Sequence, residues 1–305
     1  MSRAVRVEGT GGPEVLRVVE VAAPHAGTEQ VRVAVRAAGV NYYDTKVRNG
    51  SIPSEFPRGQ GNEFAGVIDE IGADVVGLGS DLAVGDEVLG WTMAAAQAEH
   101  VVVPAKHVAR KPAGLDWAIA GGLGLVANTA WRAVSALQIE SGDTVLVTGV
   151  AGGVGLLGAQ FALQAGALVV GTASESNHEF LRDLGIIPVS YGPGVSDRLR
   201  AAAPDGYTAA LDTVGRAEIE HALSLGIRPQ RINSVAYHPG ADEFGISVVG
   251  GGKKSAEELA RFAQAAADGA ITLPILATYP LTAVRAAYER LERRHGLGKI
   301  VLTVP

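Results

Sequence analysis

Before about residue 115 the apolar positions fall in short runs separated by turn residues, at 16–21, 30–38, 64–71, 87–89 and 100–104. Alternation of this kind, bounded by Gly11-Gly12-Pro13, Gly72 and Val84-Gly85-Asp86, predicts a β-rich first part. Residues 41–49 have the polarity of a short helix or loop at a strand end. From Asp116 the pattern changes. Residues 117–137 carry a helical period with a glycine interruption, and from Thr144 strand-like and helix-like runs alternate as in βαβ units. Strands are predicted over 144–148, 168–172, 187–190, 209–211, 231–236 and 246–249, which suffices for a doubly wound, six-stranded parallel sheet. Ser255, with Glu258 three residues on, predicts a capped helix over 255–267. A strand at 271–276, a helix around 281–294 and a strand at 299–304 follow and are expected to rejoin the first part.

The fold class is therefore α/β, and 305 residues agree with two domains. Residues 144–174 contain no Asp, Glu, Lys or Arg, a length that could span a bilayer. Seven glycines from Gly149 to Gly171, with Gln160 and Gln164, argue instead for strand, turn, helix and strand buried between protein layers. No membrane association is expected. Twenty-six Lys and Arg against 32 Asp and Glu, with no long basic run, argue against nucleic acid as a partner. The absence of cysteine excludes disulfides, thiolate zinc sites and cysteine nucleophiles. The first residues carry charges throughout and no apolar leader core, so a cytoplasmic location is expected.

One motif carries chemistry. Gly149-Val150-Ala151-Gly152-Gly153-Val154-Gly155 stands between a strand-like and a helix-like run, the context of a dinucleotide fingerprint. A pyrophosphate must approach the backbone closely, and the following helix offers unpaired N–H groups and a positive dipole end. Gly152, Gly153, Val154 and Gly155 are the expected cradle; the plain alternative is glycines that only let the helix pack on the sheet. No acid stands in Val170-Gly171-Thr172-Ala173-Ser174, where a carboxylate would bind a ribose 2′-hydroxyl, although Glu175 follows at once. Thr172 and Ser174 at the strand end, with Asn177, His178, Arg182 and Tyr191, offer hydrogen bonds or charge to a 2′-phosphate. The expected cofactor is NADPH, with NADH not excluded. The alternative for these side chains is an ordinary place in a loop or on a helix surface.

Gly11-Gly12-Pro13-Glu14-Val15-Leu16, Gly39-Val40-Asn41-Tyr42-Tyr43-Asp44, Arg48-Asn49-Gly50, Gly61-Asn62-Glu63-Phe64-Ala65-Gly66-Val67, Val84-Gly85-Asp86, Val102-Val103-Pro104-Ala105, the glycine fingerprint, Leu211-Asp212-Thr213-Val214-Gly215 and Gly298-Lys299-Ile300-Val301-Leu302 occur in this order. In them the chain resembles the medium-chain dehydrogenase/reductase superfamily, in its zinc-independent, zeta-crystallin-like quinone oxidoreductase branch. The resemblance implies a GroES-like β-barrel catalytic domain over 1–118 and 253–305, a Rossmann domain over 119–252 and an active site in the cleft. It departs from the zinc alcohol dehydrogenases of the superfamily, which place Cys, His and Cys where this chain has Asn41, Asn62 and Leu125. No catalytic zinc is therefore expected. Many NADPH-using relatives have a lysine where Asn177 stands, and quinone-reducing relatives often place an aromatic within Ser51-Ile52-Pro53.

Without a Lewis acid, quinones and conjugated enones are the substrates to expect, because they accept hydride from nicotinamide C4 and spread the resulting charge. By similarity to the family's Asn-x-x-Asp stretch, Asn41 is the candidate donor, with Asp44 and Arg48 supporting its loop. The alternatives are a turn residue, a helix cap and a packing or surface arginine. Asn128 and Thr129 resemble cofactor-contacting positions at the start of a helix, where a cap role is the other reading. Rival functions are an enoyl reductase acting on an acyl thioester and a non-catalytic NADPH-binding module. The family pattern further implies a homodimer formed through Rossmann sheet edges.

Overall fold

The computed structural model describes residues 1–75, 81–252 and 254–305, so the domain boundary expected at Lys253 lies outside the described residues. Two compact units emerge. Unit 1 comprises Met1–Leu125, Lys254–Arg294 and Lys299–Pro305; unit 2 comprises Val126–Lys253 and His295–Gly298.

Unit 1 opens with strand β1 (Ser2–Val7), which pairs antiparallel with β2 (Leu16–Val21). β1 was not among the expected strands because Arg3 and Arg6 break its apolar run, yet Val5 and Val7 are buried. There follow β3 (Gln30–Val40), helix α1 (Tyr42–Arg48), β4 (Arg58–Gly59), β5 (Glu63–Ile71), β6 (Glu87–Trp91), β7 (His100–Pro104) and β8 (Val108–Arg110). Along β3, Val31, Val33 and Val35 alternate inward, and each is at most 1% exposed. Helix α2 (Trp117–Ala136) leaves unit 1 after Leu125 and continues in unit 2. It is unbroken, where a glycine interruption was expected. A Cβ on Gly121 would lie 2.6 Å from that of Ala37, so this glycine serves a close approach to β3.

Unit 2 alternates β9 (Thr144–Thr148), α3 (Gly153–Gln164), β10 (Leu168–Ala173), α4 (His178–Asp183), β11 (Ile187–Ser190), α5 (Val195–Ala202), β12 (Ala209–Asp212), α6 (Arg216–Ser224), β13 (Ile232–Ser234) and α7 (Gly240–Phe244). The strands form one parallel sheet in the order β11-β10-β9-β12-β13. This is the doubly wound order, with β9 at the reversal point. The charge-free stretch is β9, turn, α3 and β10, and among the described residues no helix is long and apolar enough to cross a membrane. The sixth expected strand, at 246–249, is reduced to a parallel bridge between Asn233 and Ser247. The Asn233 side chain takes over the pairing there, binding Val249 O and Val249 N, each at 2.8 Å.

The chain then returns to unit 1 through α8 (Ala256–Ala267), β14 (Ile275–Pro280), α9 (Val284–Glu292) and β15 (Lys299–Thr303). Ser255 caps α8 as expected, accepting from Glu258 N at 3.1 Å. β14 starts later than predicted, because Ile271 and Leu273 are buried ahead of the strand. The large sheet runs β14-β15-β3-β5-β6-β8, with β7 on β3. β15 is thus an interior strand, parallel to β14 and antiparallel to β3. One core joins this sheet to β1 and α9 through Val5, Val33, Phe64, Ile68, Tyr288 and Leu302.

Candidate active site

In unit 2 the fingerprint forms the turn from β9 into α3. Gly149 has φ +66°, in the left-handed region, and Gly152 is the N-cap of α3. The glycines differ in what they make room for. A Cβ on Gly155 would lie 2.5 Å from Gly149 O and 3.0 Å from Val150 Cα, so Gly155 is required by the chain's own backbone. A Cβ on Gly152 would meet only Gly149 O, at 3.5 Å, so the space it leaves open is not claimed by neighbouring protein atoms. The turn is braced by Thr172, whose hydroxyl accepts from Gly149 N at 3.0 Å, and by Gly298 N, which donates to Ala151 O at 2.8 Å.

Of the residues named for the cofactor's 2′ group, Ser174 and Tyr191 meet, hydroxyl to hydroxyl at 3.0 Å. Tyr191 OH also lies 2.6 Å from His295 Nδ1, and the two rings stack. Sequence reasoning missed His295, which is brought there by a return of the chain through two left-handed residues, Arg294 (φ +57°) and His295 (φ +56°). The remaining candidates do not join this group. Thr172 is 2% exposed and committed to the turn, Asn177 is buried ahead of α4, and Arg182 lies exposed in the last turn of that helix. Asn128 and Thr129 stand in the middle of α2, which corrects the helix-start placement and removes a cap role; Arg132 Nε donates to Asn128 Oδ1 at 3.0 Å. At the end of β12, buried Asp212 accepts from Thr148 Oγ1 at 2.7 Å and Ser234 Oγ at 2.6 Å, tying three strand ends together.

In unit 1, Asn41, Asp44 and Arg48 lie on and beside α1, and all three are buried. Asp44 accepts from Asn41 N at 3.1 Å, a reciprocal cap at the helix N-terminus, and from Asn62 Nδ2 at 2.6 Å and Tyr288 OH at 3.2 Å. Burial nevertheless pushes its pKa up to about 6. Burial also holds the Tyr288 hydroxyl well above the ordinary tyrosine range. The Arg48 guanidinium pairs with Glu292 and lies 5.4 Å from the centre of the Tyr288 ring, while its Nε and one terminal nitrogen find no partner. Arg48 is thus not a surface arginine, its side chain being 1% exposed.

Two residues outside the expected set complete the network. Glu63, at the start of β5, accepts from Asn41 Nδ2 at 2.8 Å and from Leu125 N at 2.6 Å. Lys299, at the start of β15, donates to Asn41 Oδ1 at 2.6 Å and Val40 O at 2.9 Å, and lies 2.9 Å from Glu63 Oε1. The signal in the sequence was a charged residue opening an otherwise apolar strand, twice: Glu63 before Phe64-Ala65 and Lys299 before Ile300-Val301-Leu302.

These contacts test the zinc positions. Asn41 is held between an ammonium and a carboxylate, and Asn62 donates to Asp44 and accepts from Ala94 N at 3.2 Å. Leu125 contributes only its backbone N–H. An ammonium inside the donor set and amides already engaged do not fit a divalent zinc. Among the described residues, no group of three or more His, Cys, Asp or Glu could hold a metal ion.

Residues 27–113 match the alcohol dehydrogenase GroES-like domain and residues 189–302 the zinc-binding dehydrogenase family. The chain is 33% identical to a stretch of the polyketide synthase GfsB of Streptomyces halstedii, a match that takes in 98% of this chain and 6% of that protein. It spans between 6% and 18% of the length of the polyketide synthases it matches first. The quinone oxidoreductase from Coxiella burnetii superposes with a TM-score of 0.89 at 27% identity, covering 100% of this chain and 99% of that one. A mycobacterial protein complexed with NADPH superposes with a TM-score of 0.88 at 27% identity, covering 99% and 100%. Two dehydrogenase families matched in chain order, together with superposition over whole chains, establish an oxidoreductase that belongs to the medium-chain dehydrogenase/reductase superfamily, alongside its quinone oxidoreductases.

Proposed function

We propose that this chain is an NADPH-dependent reductase whose acceptor is a conjugated carbonyl compound, a quinone or an enone. The observation that carries the reading is the Asn41 amide, which stands at a position where zinc-dependent relatives have a metal donor and is held here between Lys299 and Glu63. Chemistry at such a site calls for an acceptor that delocalises its own charge and needs only an N–H donor at its oxygen. When bound, the reduced nicotinamide supplies hydride from C4. Gly152 leaves the space for a pyrophosphate against the N-terminus of α3. Ser174, Tyr191 and His295 offer hydroxyls and an imidazole to a 2′-phosphate, and the NADPH bound by the mycobacterial neighbour supports the same cofactor here.

The higher identity to a polyketide synthase stretch favours a second reading, reduction of an enoyl thioester. Calorimetric titration with NADPH and NADH, followed by addition of a quinone, an enone and an enoyl thioester with nucleotide absorbance monitored, separates the readings. Tighter binding of NADPH and its oxidation by the quinone or enone is the expected result. Oxidation by the thioester alone selects the second reading, and binding without oxidation by any acceptor removes both. Tighter binding of NADH would make Glu175 the ribose-binding acid.

A further inference from the structure

The surroundings of Asn41 allow its amide to sit only one way round. Oδ1 receives Lys299 Nζ at 2.6 Å, and Nδ2 donates to Glu63 Oε1 at 2.8 Å. An ammonium only donates and an ionised carboxylate only accepts, so exchanging the amide's oxygen and nitrogen would set donor against donor and acceptor against acceptor. The two charges also hold each other, with 4% and 1% of their side chains exposed. Both are anchored to backbone, Lys299 to Val40 O and Glu63 to Leu125 N. The three protons of Lys299 therefore have three acceptors, Val40 O, Asn41 Oδ1 and Glu63 Oε1, and none remains for a ligand. What the arrangement leaves over is the second N–H of Asn41, on a residue that keeps 7% of its surface exposed.

A buried ion pair is weak evidence of a stabilising role, since apolar residues of similar volume often pack as well. We infer that Lys299 and Glu63 are positioning residues, which orient the Asn41 amide so that its remaining N–H is offered to the carbonyl oxygen of the acceptor. The inference rests on the reductase reading above. In the reaction a hydride bonds to an acceptor carbon, and the displaced electron pair moves through the conjugated system to the carbonyl oxygen. The Asn41 N–H stabilises that negative charge, and a proton from water completes the two-electron reduction as the dinucleotide is oxidised by two electrons. Lys299 and Glu63 exchange no proton.

The test is the double variant Lys299→Met with Glu63→Gln in the full chain, which removes both members of the ion pair together. NADPH affinity within twofold of wild type and a kcat with the quinone lowered at least tenfold are expected. In an Asn41→Ala background the same double change is expected to lower kcat less than twofold further. An unchanged kcat, or losses that multiply with that of Asn41→Ala, would overturn the inference. If the double variant does not fold, Glu63→Gln alone carries the same comparison. Wild-type protein that binds NADPH but oxidises it with no quinone, enone or enoyl thioester overturns the reductase reading instead. The orientation is then read from hydrogen exchange at the Asn41 side-chain amide, assigned by its loss in Asn41→Ala. Exchange at least tenfold faster in the double variant supports the lock, and equal exchange refutes it.

Discussion

In unit 1 the amide and charged groups are sealed: Asn41, Asp44, Glu63 and Lys299 are each at most 7% exposed and bond to one another. In unit 2 the candidate groups are open: Tyr191 is 44% exposed, and the cradle offers backbone rather than side chains. A sealed network is organised before any ligand arrives, so a single neutralisation disturbs all its members. The rim is tied through the single Tyr191 hydroxyl, which bridges Ser174 and His295 and leaves Tyr191 and His295 exposed.

The sharpest way to break that comparison lies within the glycine turn, where the open site is underlain by a closed one. Gly155→Ala forces a Cβ onto the backbone of Gly149 and Val150 and is expected to destabilise the fold by about 1–3 kcal/mol, with at least a hundredfold loss of NADPH affinity. Gly152→Ala is expected to stay within about 1 kcal/mol of wild-type stability while losing at least tenfold in affinity. Denaturant unfolding beside calorimetry checks both, and equal stability of the two variants would erase the distinction.

Asp44 sharpens the comparison from the sealed side. Its pKa is about 6 when folded and near 3.9 when unfolded, so its contribution to stability is fully present below pH 3.9 and is lost as pH rises through 6. Between pH 5 and pH 8 the further loss is on the order of 1 kcal/mol. Asp44→Asn is expected to flatten the fall in unfolding free energy over that interval; a slope equal to wild type would remove Asp44 as its source.

The smallest effect belongs to the rim. Tyr191→Phe removes the hydroxyl shared by Ser174 and His295, and the ratio of NADPH to NADH affinity is expected to fall roughly two- to tenfold, one net hydrogen bond's worth. An unchanged ratio would place 2′-phosphate recognition elsewhere.

The fold was legible where period and punctuation coincide. Thr144–Thr148 followed by the glycine turn, and Ser255 ahead of α8, stood out because local sequence and final structure agree. The sixth strand was misjudged because the side chain of Asn233, and not a ladder, binds the segment at Val249. Asn128 and Thr129 were misplaced because Gly121, Gly122 and Gly124 read as an interruption, when Gly121 answers to a close neighbour in β3. At the site, Asn41 and Asp44 share one turn of helix and were found together. Glu63 and Lys299 were passed over because their partnership exists only after β5 and β15 have each paired with β3. A buried charge shows in the sequence as an anomaly without its partner, and the partner is supplied by topology.

That topology also sets a timetable. Asn41 and Lys299 are separated by 258 positions, and between them the ribosome must make the whole of the parallel sheet. At roughly 5–20 residues per second, Glu63 and Asn41 exist for on the order of 10–50 s before their cation has been synthesised. During that interval the emerging chain holds an acid destined for burial with no counter-charge, and strand β3 with a bare edge where β15 will add. Vectorial synthesis therefore delivers all five strands of the parallel sheet before Lys299, and β15 brings the pairing partner of β3 and the missing charge in one step.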